Sequence, residues 1–496
     1  MPDEKKRFTQ RIYIFGALVF ILTAWFSVGY NQFDEHFQVI EFAGLKLGLT
    51  EKANLPWEYD CMMRPSLQPL VVYSVYNIFS FTGVTNPFLI AFIIRLLSAA
   101  LTFLSIHIVI RLYAPEILNR KIYFAFILLS FFMWFIPYNS VRFSSENIAG
   151  RVFLIGLAWF FLRKENKMAD YFFTGLLLGI SFITRYQVAF MIIGFAAWLL
   201  VIRKAGFRNF MAFGSGIIVV SAIGVLIDRW YYGEWVLTTW NYFLQNILLG
   251  KASGFGISPW WYYLEDTFIN AFPPLSIVYI LAVFMYFYYY PKDILTWAMV
   301  PFLAAHFMIP HKELRFIFPI IGFLPVMIIK TTDLILKKKG YELLQHRLMK
   351  IVINLFWFLN MTMLVVLIFR PADDRISLYK SIYDNYNSPT KLYYTGDNPY
   401  HRAKVDIYFY KRSNLVFQKV DSIQNIIPSM DTVSLVVTNK PGQQFGNIYN
   451  PVLIYSTFPQ WVSHFNFNHW IERTFFWYVY ELKPTKKQMP IIDENE

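Results

Sequence analysis

Cysteine is almost missing from this chain: Cys61 is the only one in 496 residues. A single thiol excludes an intramolecular disulfide and any cysteine-built metal cluster, and it leaves the redox compartment unreadable. Charge is scarce too. Asp, Glu, Lys and Arg make up 16% of the chain, where soluble domains carry about a quarter, so water is not the solvent this sequence is built for. No internal repeat or low-complexity linker appears. The Asn-x-Ser/Thr pattern occurs once, at Asn360-Met361-Thr362 inside an apolar run, so the polar segments hold no N-glycosylation acceptor.

What is abundant is apolar. Hydrophobic residues reach 56% and aromatics 20%, and the mean hydropathy is +0.39. Tyr and Trp favour membrane–water interfaces, where an apolar ring keeps one polar edge wet. The net charge of +13 would suit nucleic acid, but the basic residues sit in short clusters between apolar runs, which is a topology signal. No nucleic-acid partner is expected. Apolar runs near 12–29, 87–110, 121–137, 148–162, 170–184, 187–202, 210–227, 271–290, 294–309, 316–330 and 351–369 predict about eleven transmembrane helices. The first follows Lys5-Lys6-Arg7 and lacks a small-x-small cleavage site, so it reads as an uncleaved signal anchor.

The run Leu67 to Phe81 holds Gln68, Pro69 and Asn77 and is marginal for a span. If it lies at the interface, the basic loops around Arg120-Lys121, Arg163-Lys164, Arg203-Lys204 and Lys337-Lys338-Lys339 all fall on the cytoplasmic side. If it spans, all of them move out. The positive-inside rule selects the interfacial reading. Segments 30–66, 138–147, 228–270 and 310–315 then face the non-cytoplasmic side. Beyond Arg370 the apolar runs end, and β-rich stretches at 391–395, 414–417, 432–438 and 452–455, with a helix-like piece over Asp421 to Met430, predict a small C-terminal α/β extramembrane domain on that same face. The expected division is 1–370 and 371–496.

The first outer segment opens Asn31-Gln-Phe-Asp34-Glu35-His36-Phe-Gln38. Adjacent carboxylates at a membrane surface can supply a general base for an acceptor hydroxyl. The plainer reading is a solvated helix start with Asp34 as N-cap. A His beside two acids also suits a metal, but no spaced ligand set accompanies it, and no metal is expected. Further on, Trp57-Glu58-Tyr59-Asp60 and Arg64 mix rings with acids, which suits sugar faces and hydroxyls, or equally an interfacial aromatic belt. His311-Lys312-Glu313-Leu314-Arg315 is basic on the non-cytoplasmic side, against the topology rule. Such a cluster suits an anion, with Arg as a bidentate fork for phosphate; the alternative is snorkelling at a helix end. Arg142, Glu146 and Arg185 add polar groups at the same depth. The long segment from Asp228 through Trp240, Asn241, Trp260 and Tyr262 is too polar to span and too aromatic for a linker, and fits a lid on the outer membrane surface.

At these positions the chain resembles the lipid-linked mannosyltransferases that build GPI anchors and N-glycan precursors, multi-pass enzymes of the GT-C fold. Asp34-Glu35-His36-Phe37-Gln38 resembles the acidic motif of their first luminal loop. Asp228-x-x-Tyr231-Tyr232-Gly233, Thr239-Trp240-Asn241 and Gly256-x-x-Pro259-Trp260-x-Tyr262-Tyr263 are similar to their central signature, most of all that of the GPI third-mannose transferase. His311-Lys312-Glu313-x-Arg315-Phe316 resembles their most recognisable motif. The collinear match runs from about residue 12 to 330.

The resemblance implies an all-α polytopic membrane protein that moves mannose from a polyprenyl-phosphate sugar donor to a glycan or glycolipid acceptor by inverting displacement. It implies Asp34 as base with Glu35 beside it, His311, Lys312 and Arg315 at the donor phosphate, and no cofactor; Arg185, at the same depth, is expected to join the phosphate-binding group. His36, Gln38, Trp57, Glu58, Asp60, Arg64, Arg142, Trp240, Asn241, Trp260 and Tyr262 are the expected substrate contacts. Ile, Lys, Asn and Phe usage suits a bacterium, hence the inner membrane, with the endoplasmic reticulum the counterpart in a eukaryote. The rival class is a transporter or flippase of a lipid-linked saccharide, which would show inverted repeats and midplane charges.

Overall fold

The computed structural model describes residues 2–163, 165, 167–402, 404–426, 431–439, 445, 449–466 and 476–484. The chain divides into two compact units. One comprises Met1–Ser27, Trp57–Gly83 and Ile90–Arg370; the other comprises Val28–Pro56, Val84–Leu89 and Pro371–Glu496.

The first unit is helical, because a backbone in hydrocarbon has to satisfy its own hydrogen bonds. Its long helices are α1 (Pro2–Phe26), α2 (Pro87–Tyr113), α3 (Arg120–Phe132), α4 (Ser145–Leu162), α5 (Met168–Thr184), α6 (Ala189–Val201), α7 (Phe207–Tyr232), α8 (Leu275–Tyr289), α9 (Ile294–Met308), α10 (Leu324–Lys339) and α11 (Arg347–Phe369). Each expected span coincides largely with helix, although stretches such as 27–29 and 133–135 fall outside it, and the helices do not by themselves fix the count of eleven crossings. Among the described residues, six helical runs are long and apolar enough to cross a membrane. One of them is Leu314–Lys339, in which a 3₁₀ stretch at Leu314–Phe323 leads into α10. Helices α5, α6, α8 and α9 are shorter apolar helices. Helix α3 is shorter still, at 13 residues. The short helix Leu67–Phe81 has the extent read from sequence.

Local chemistry sets the ends. Asn119 caps α3 by accepting from the backbone N–H groups of Lys121 and Ile122, Asp293 caps α9 through Leu295, and Gly233, at φ +85°, closes α7 with a left-handed turn. Large apolar side chains point outward, among them Ile14 and Leu18 on α1 and Ile218 and Ile223 on α7, as lipid contact requires. The interior is aromatic, with Phe126, Phe131, Phe132 and Phe153 fully buried.

Helices α5 and α7 approach backbone to backbone through glycine. A Cβ at Gly175 would lie 2.1 Å from the Phe213 carbonyl oxygen, and one at Gly216 would lie 2.3 Å from that of Phe172. Gly214, on the same helix, faces open space. Without a hydrophobic force between helices in lipid, this closeness is what holds such a pair together. Gly216→Ala is expected to destabilise the protein by about 1–3 kcal/mol, the usual size of an overpacking cost. Gly214→Ala should be neutral. Thermal unfolding in detergent checks both, and equal melting temperatures would refute the packing argument.

The second unit carries a five-stranded sheet of β1 (Thr390–Tyr394), β2 (Leu415–Lys419), β3 (Val433–Thr438), β4 (Tyr449–Ser456) and β5 (Tyr478–Pro484), in the order β2-β1-β3-β5-β4. Strand β1 runs parallel to β2 and β3, with Leu392 opposite Leu435, and β5 is antiparallel to β3 and β4. Helix Ile376–Asn385 completes the α/β character. The helix-like piece expected over 421–430 is corrected: a 3₁₀ turn spans Ile423–Asn425 and the chain is extended at Ile426, while 427–430 lie outside the described residues. Gly29, at φ +85°, allows close approach in this unit. A Cβ there would meet the Asp373 side chain at 2.7 Å, and Val28 O accepts from the N–H groups of Ala372 and Asp373.

Candidate functional site

The residues singled out by sequence fall into three groups, two in the first unit and one in the second.

The basic group starts at the N-terminus of α4. Ser144 caps that helix through the Asn147 N–H, which places Glu146 in the first turn, where the helix dipole favours a carboxylate. Arg185 sits at the C-terminal end of α5. Its Nη1 donates to Glu146 Oε1 at 2.8 Å and to Ser145 Oγ at 3.0 Å. Arg315 reaches the same oxygen, with Nη1 3.7 Å from Glu146 Oε1. Its fork is held from the other side by Glu313, with Nε to Oε2 at 2.7 Å and Nη2 to Oε1 at 3.1 Å. Both guanidinium groups lie over the Phe316 ring, at 5.4 and 5.3 Å.

Lys312 is buried, and its ammonium donates to the carbonyls of Ile309 (2.5 Å) and Ser258 (3.1 Å). Burial holds it below the ordinary lysine value. His311 Nδ1 is 3.0 Å from the Gly256 carbonyl and its Nε2 is 3.2 Å from Glu313 Oε1. Ser258 N donates to Pro310 O at 2.9 Å. The 256–258 stretch is thus clasped to 310–312.

The charge count decides what this group can do. Among the described residues, Arg185, Lys312 and Arg315 bring three positive charges to a group whose carboxylates are Glu146 and Glu313. Arg185 is 5% exposed, and its Nε and Nη2 are buried without a hydrogen-bond partner among the described residues. Unmet donors on a buried cation are costly unless an anion completes them.

The second group is the aromatic and acidic loop. Arg64 Nη2 meets buried Glu58 at 3.4 Å and lies over Tyr242. The Asn241 amide donates to the carbonyls of Cys61 and Met62, and Tyr232 OH donates to Arg64 O. Trp57 stacks near Phe255, with Lys251 over its ring. Asp228, which the sequence offered only as part of a signature, is a buried anchor: it accepts from Ser66 N at 2.9 Å and from Thr238 Oγ1 at 2.5 Å. A pocket of about 110 Å³ opens beside it, lined by Phe182, Ile183, Tyr186, Val225 and Leu237 among others. Trp240 and Trp260 are 55% and 63% exposed, and Asp60 is exposed as well. Tyr262 begins the helix Tyr262–Asn270, and burial, then the nearby Asp266, push its phenol up. Arg142 donates to the Ser27 carbonyl and, at 2.6 Å, to its hydroxyl. That is the bond of a structural tie.

The third group, in the second unit, carries Asp34. Helix Phe33–Glu35 runs into a π-turn at His36–Ile40 and then helix Glu41–Lys46. Gln32, not Asp34, holds the N-cap position. Asp34 is half-buried and accepts from Gln38 Nε2 at 3.0 Å. Glu35 is buried and accepts from Asn31 N at 3.4 Å. His36 is fully buried between the rings of Tyr30 and Tyr410. Glu41, which sequence reasoning passed over, is fully buried and accepts from the backbone N–H groups of Tyr408 and Phe409; nothing in its local pattern distinguishes it from a surface glutamate.

A model of the Alg9-like mannosyltransferase family matches residues 11–411. Similar curated proteins include GPI alpha-1,2-mannosyltransferase 3 of Bos taurus, 24% identical over 296 residues, 58% of this chain and 53% of the relative. GPI mannosyltransferase 3 of Yarrowia lipolytica is 27% identical over 301 residues, 59% and 56%. The chain spans about half the length of the curated relatives it matches. Among solved structures, ArnT from Cupriavidus metallidurans bound to undecaprenyl phosphate superposes with a TM-score of 0.59 at 12% identity, covering 95% of this chain and 97% of that one. At that identity the likeness is one of fold, and it is the GT-C architecture expected from the sequence motifs.

Proposed function

We propose, from the premise that this multi-pass membrane chain belongs to the Alg9-like mannosyltransferase family, that it transfers a hexose, mannose in this reading, from a polyprenyl-phosphate donor to a hydroxyl of a glycan or glycolipid. The observation that carries this reading is Arg185, buried with two N–H donors that no described residue meets, in a group with Lys312 and Arg315. A phosphate completes it. Arg185 would offer its open edge, and Lys312 and Arg315 would balance the charge that develops on the phosphate as the sugar leaves.

The step is a direct displacement. The acceptor oxygen forms a bond to the anomeric carbon, the carbon–oxygen bond to the phosphate breaks, and the hydroxyl proton passes to Asp34. Attack opposite the leaving phosphate inverts the anomeric centre. Exposed Trp240 and Trp260 suit sugar faces or lipid headgroups, and Glu58 with Arg64 suits hydroxyls. The positive-inside argument supports an outward-facing reaction, periplasmic in a bacterium and luminal in a eukaryotic cell.

The test is turnover by purified protein in detergent, with lipid extracts as acceptors. Radiolabelled polyprenyl-phosphate mannose should label a lipid product and a nucleotide-mannose should not. Transfer from the nucleotide sugar would overturn the donor assignment. No transfer from either would shift the reading to transport of a lipid-linked saccharide.

A further inference from the structure

We propose that Glu41 is a positioning residue for the transfer, fixing the turn that carries Asp34 by tying it to residues 408–409. The inference rests on the reading of Asp34 as base, and it gives residues 408–409 a part in the reaction.

Glu41 is 0% exposed, and four donors converge on its carboxylate. Oε1 lies 2.8 Å from His36 Nε2 and accepts from the backbone N–H groups of Tyr408 (2.9 Å) and Phe409 (3.1 Å). Oε2 accepts from Thr50 Oγ1 at 2.5 Å. The room for that hydroxyl comes from Gly44, where a Cβ would stand 2.3 Å from Thr50 Oγ1. The other end of the tie is equally built. The His36 ring is stacked between Tyr30, at 5.0 Å and 22°, and Tyr410, at 5.5 Å and 12°.

The helix is distorted to make this contact. Residues five apart in an α-helix are roughly 140° apart around the axis, too far round for His36 to reach Glu41. The π-turn at His36–Ile40, closed by Glu41 N to His36 O, turns the two side chains toward each other. Single π-turns of this kind are frequent at functional sites. Asp34 sits two residues before His36, so its direction is set by the same turn.

A purely structural tie is more cheaply made from apolar residues, because a buried carboxylate has to be desolvated and every lone pair satisfied. What the carboxylate adds is direction: its four bonds are to fixed points, two of them backbone, and they leave the turn one arrangement. A general base misplaced by about 1 Å loses on the order of a hundredfold in rate.

The experiment uses the full chain in detergent, radiolabelled polyprenyl-phosphate mannose and native lipid extract. For Glu41→Gln, kcat should fall on the order of ten- to a hundredfold with donor KM unchanged, and the pH–rate profile should keep its shape at a lower plateau. Thr50→Val, which removes one bond and no charge, should lower kcat less, and it carries the test alone if Glu41→Gln does not fold. Wild-type kcat in a folded Glu41→Gln, or in Thr50→Val when it is the only folded variant, would overturn the proposal. So would a Glu41→Gln profile that loses its acid limb, since Glu41 would then be the proton acceptor itself. Asp34→Asn runs in parallel: an active Asp34→Asn sinks the base reading on its own, whereas an inactive Asp34→Asn beside a wild-type Glu41→Gln sinks only the positioning role.

Discussion

Asp34→Asn is expected to lower kcat by about 10²–10⁴-fold, the usual contribution of a positioned general base, and to leave donor KM and the melting temperature where they are. Asp34 accepts from Gln38 Nε2 at 3.0 Å, and an asparagine oxygen accepts the same bond from the same place. Size, shape and the Gln38 contact survive. What is lost is the carboxylate's charge and with it the capacity to take a proton. Glu35 makes the informative comparison, because it is buried and receives a backbone N–H from Asn31. Glu35→Gln should therefore disturb the loop and cost less in kcat than Asp34→Asn. Normal turnover by Asp34→Asn would end its assignment as base, and a dead Glu35→Gln beside it would exchange the two roles.

The helices were legible because hydrocarbon leaves a backbone one solution, and long apolar runs announce it. Crossing number was less legible. Whether Arg120–Phe132 at 13 residues or Leu275–Tyr289 at 15 crosses a bilayer depends on neighbours and tilt that composition does not encode. The expected helix over 421–430 failed for a reason visible afterwards: Ser422 accepts from Gln424 N and starts a 3₁₀ turn that ends within three residues. Pairings across the chain were the least legible. Glu146 reads as one more polar group until Arg185, 39 residues away, is folded onto it. Glu41 looks like a surface acid, since its backbone donors lie 367 and 368 positions downstream. Arg142, expected at substrate, donates to the Ser27 hydroxyl, 115 residues earlier. Chemistry-bearing residue types show in a sequence, whereas their partners show only in the fold.

Arg185 offers the sharpest separation of binding from structure. Arg185→Met removes the open Nε and Nη2 edge, and a hydrogen bond to a charged group is worth about 1.5–3 kcal/mol. Donor KM should therefore rise by about ten- to a hundredfold, at roughly 1.4 kcal/mol per decade. The same change strands Glu146, which is 2% exposed. Breaking a buried ion pair from one side costs about 3–5 kcal/mol of stability, softened here because Arg315 Nη1 remains 3.7 Å away. A lower melting temperature would then accompany the weaker donor use and obscure its cause. The double variant Arg185→Met/Glu146→Leu separates them. It removes both charges, leaves Arg315 in the fork of Glu313, and should recover most of the melting temperature, since apolar replacement of a whole buried pair is often neutral or stabilising. Donor KM should stay high, because no cation has been returned to the open edge. If the double variant recovers donor KM along with stability, Arg185 serves only to hold α5 against Glu146, and the phosphate has to be sought elsewhere on the basic cluster.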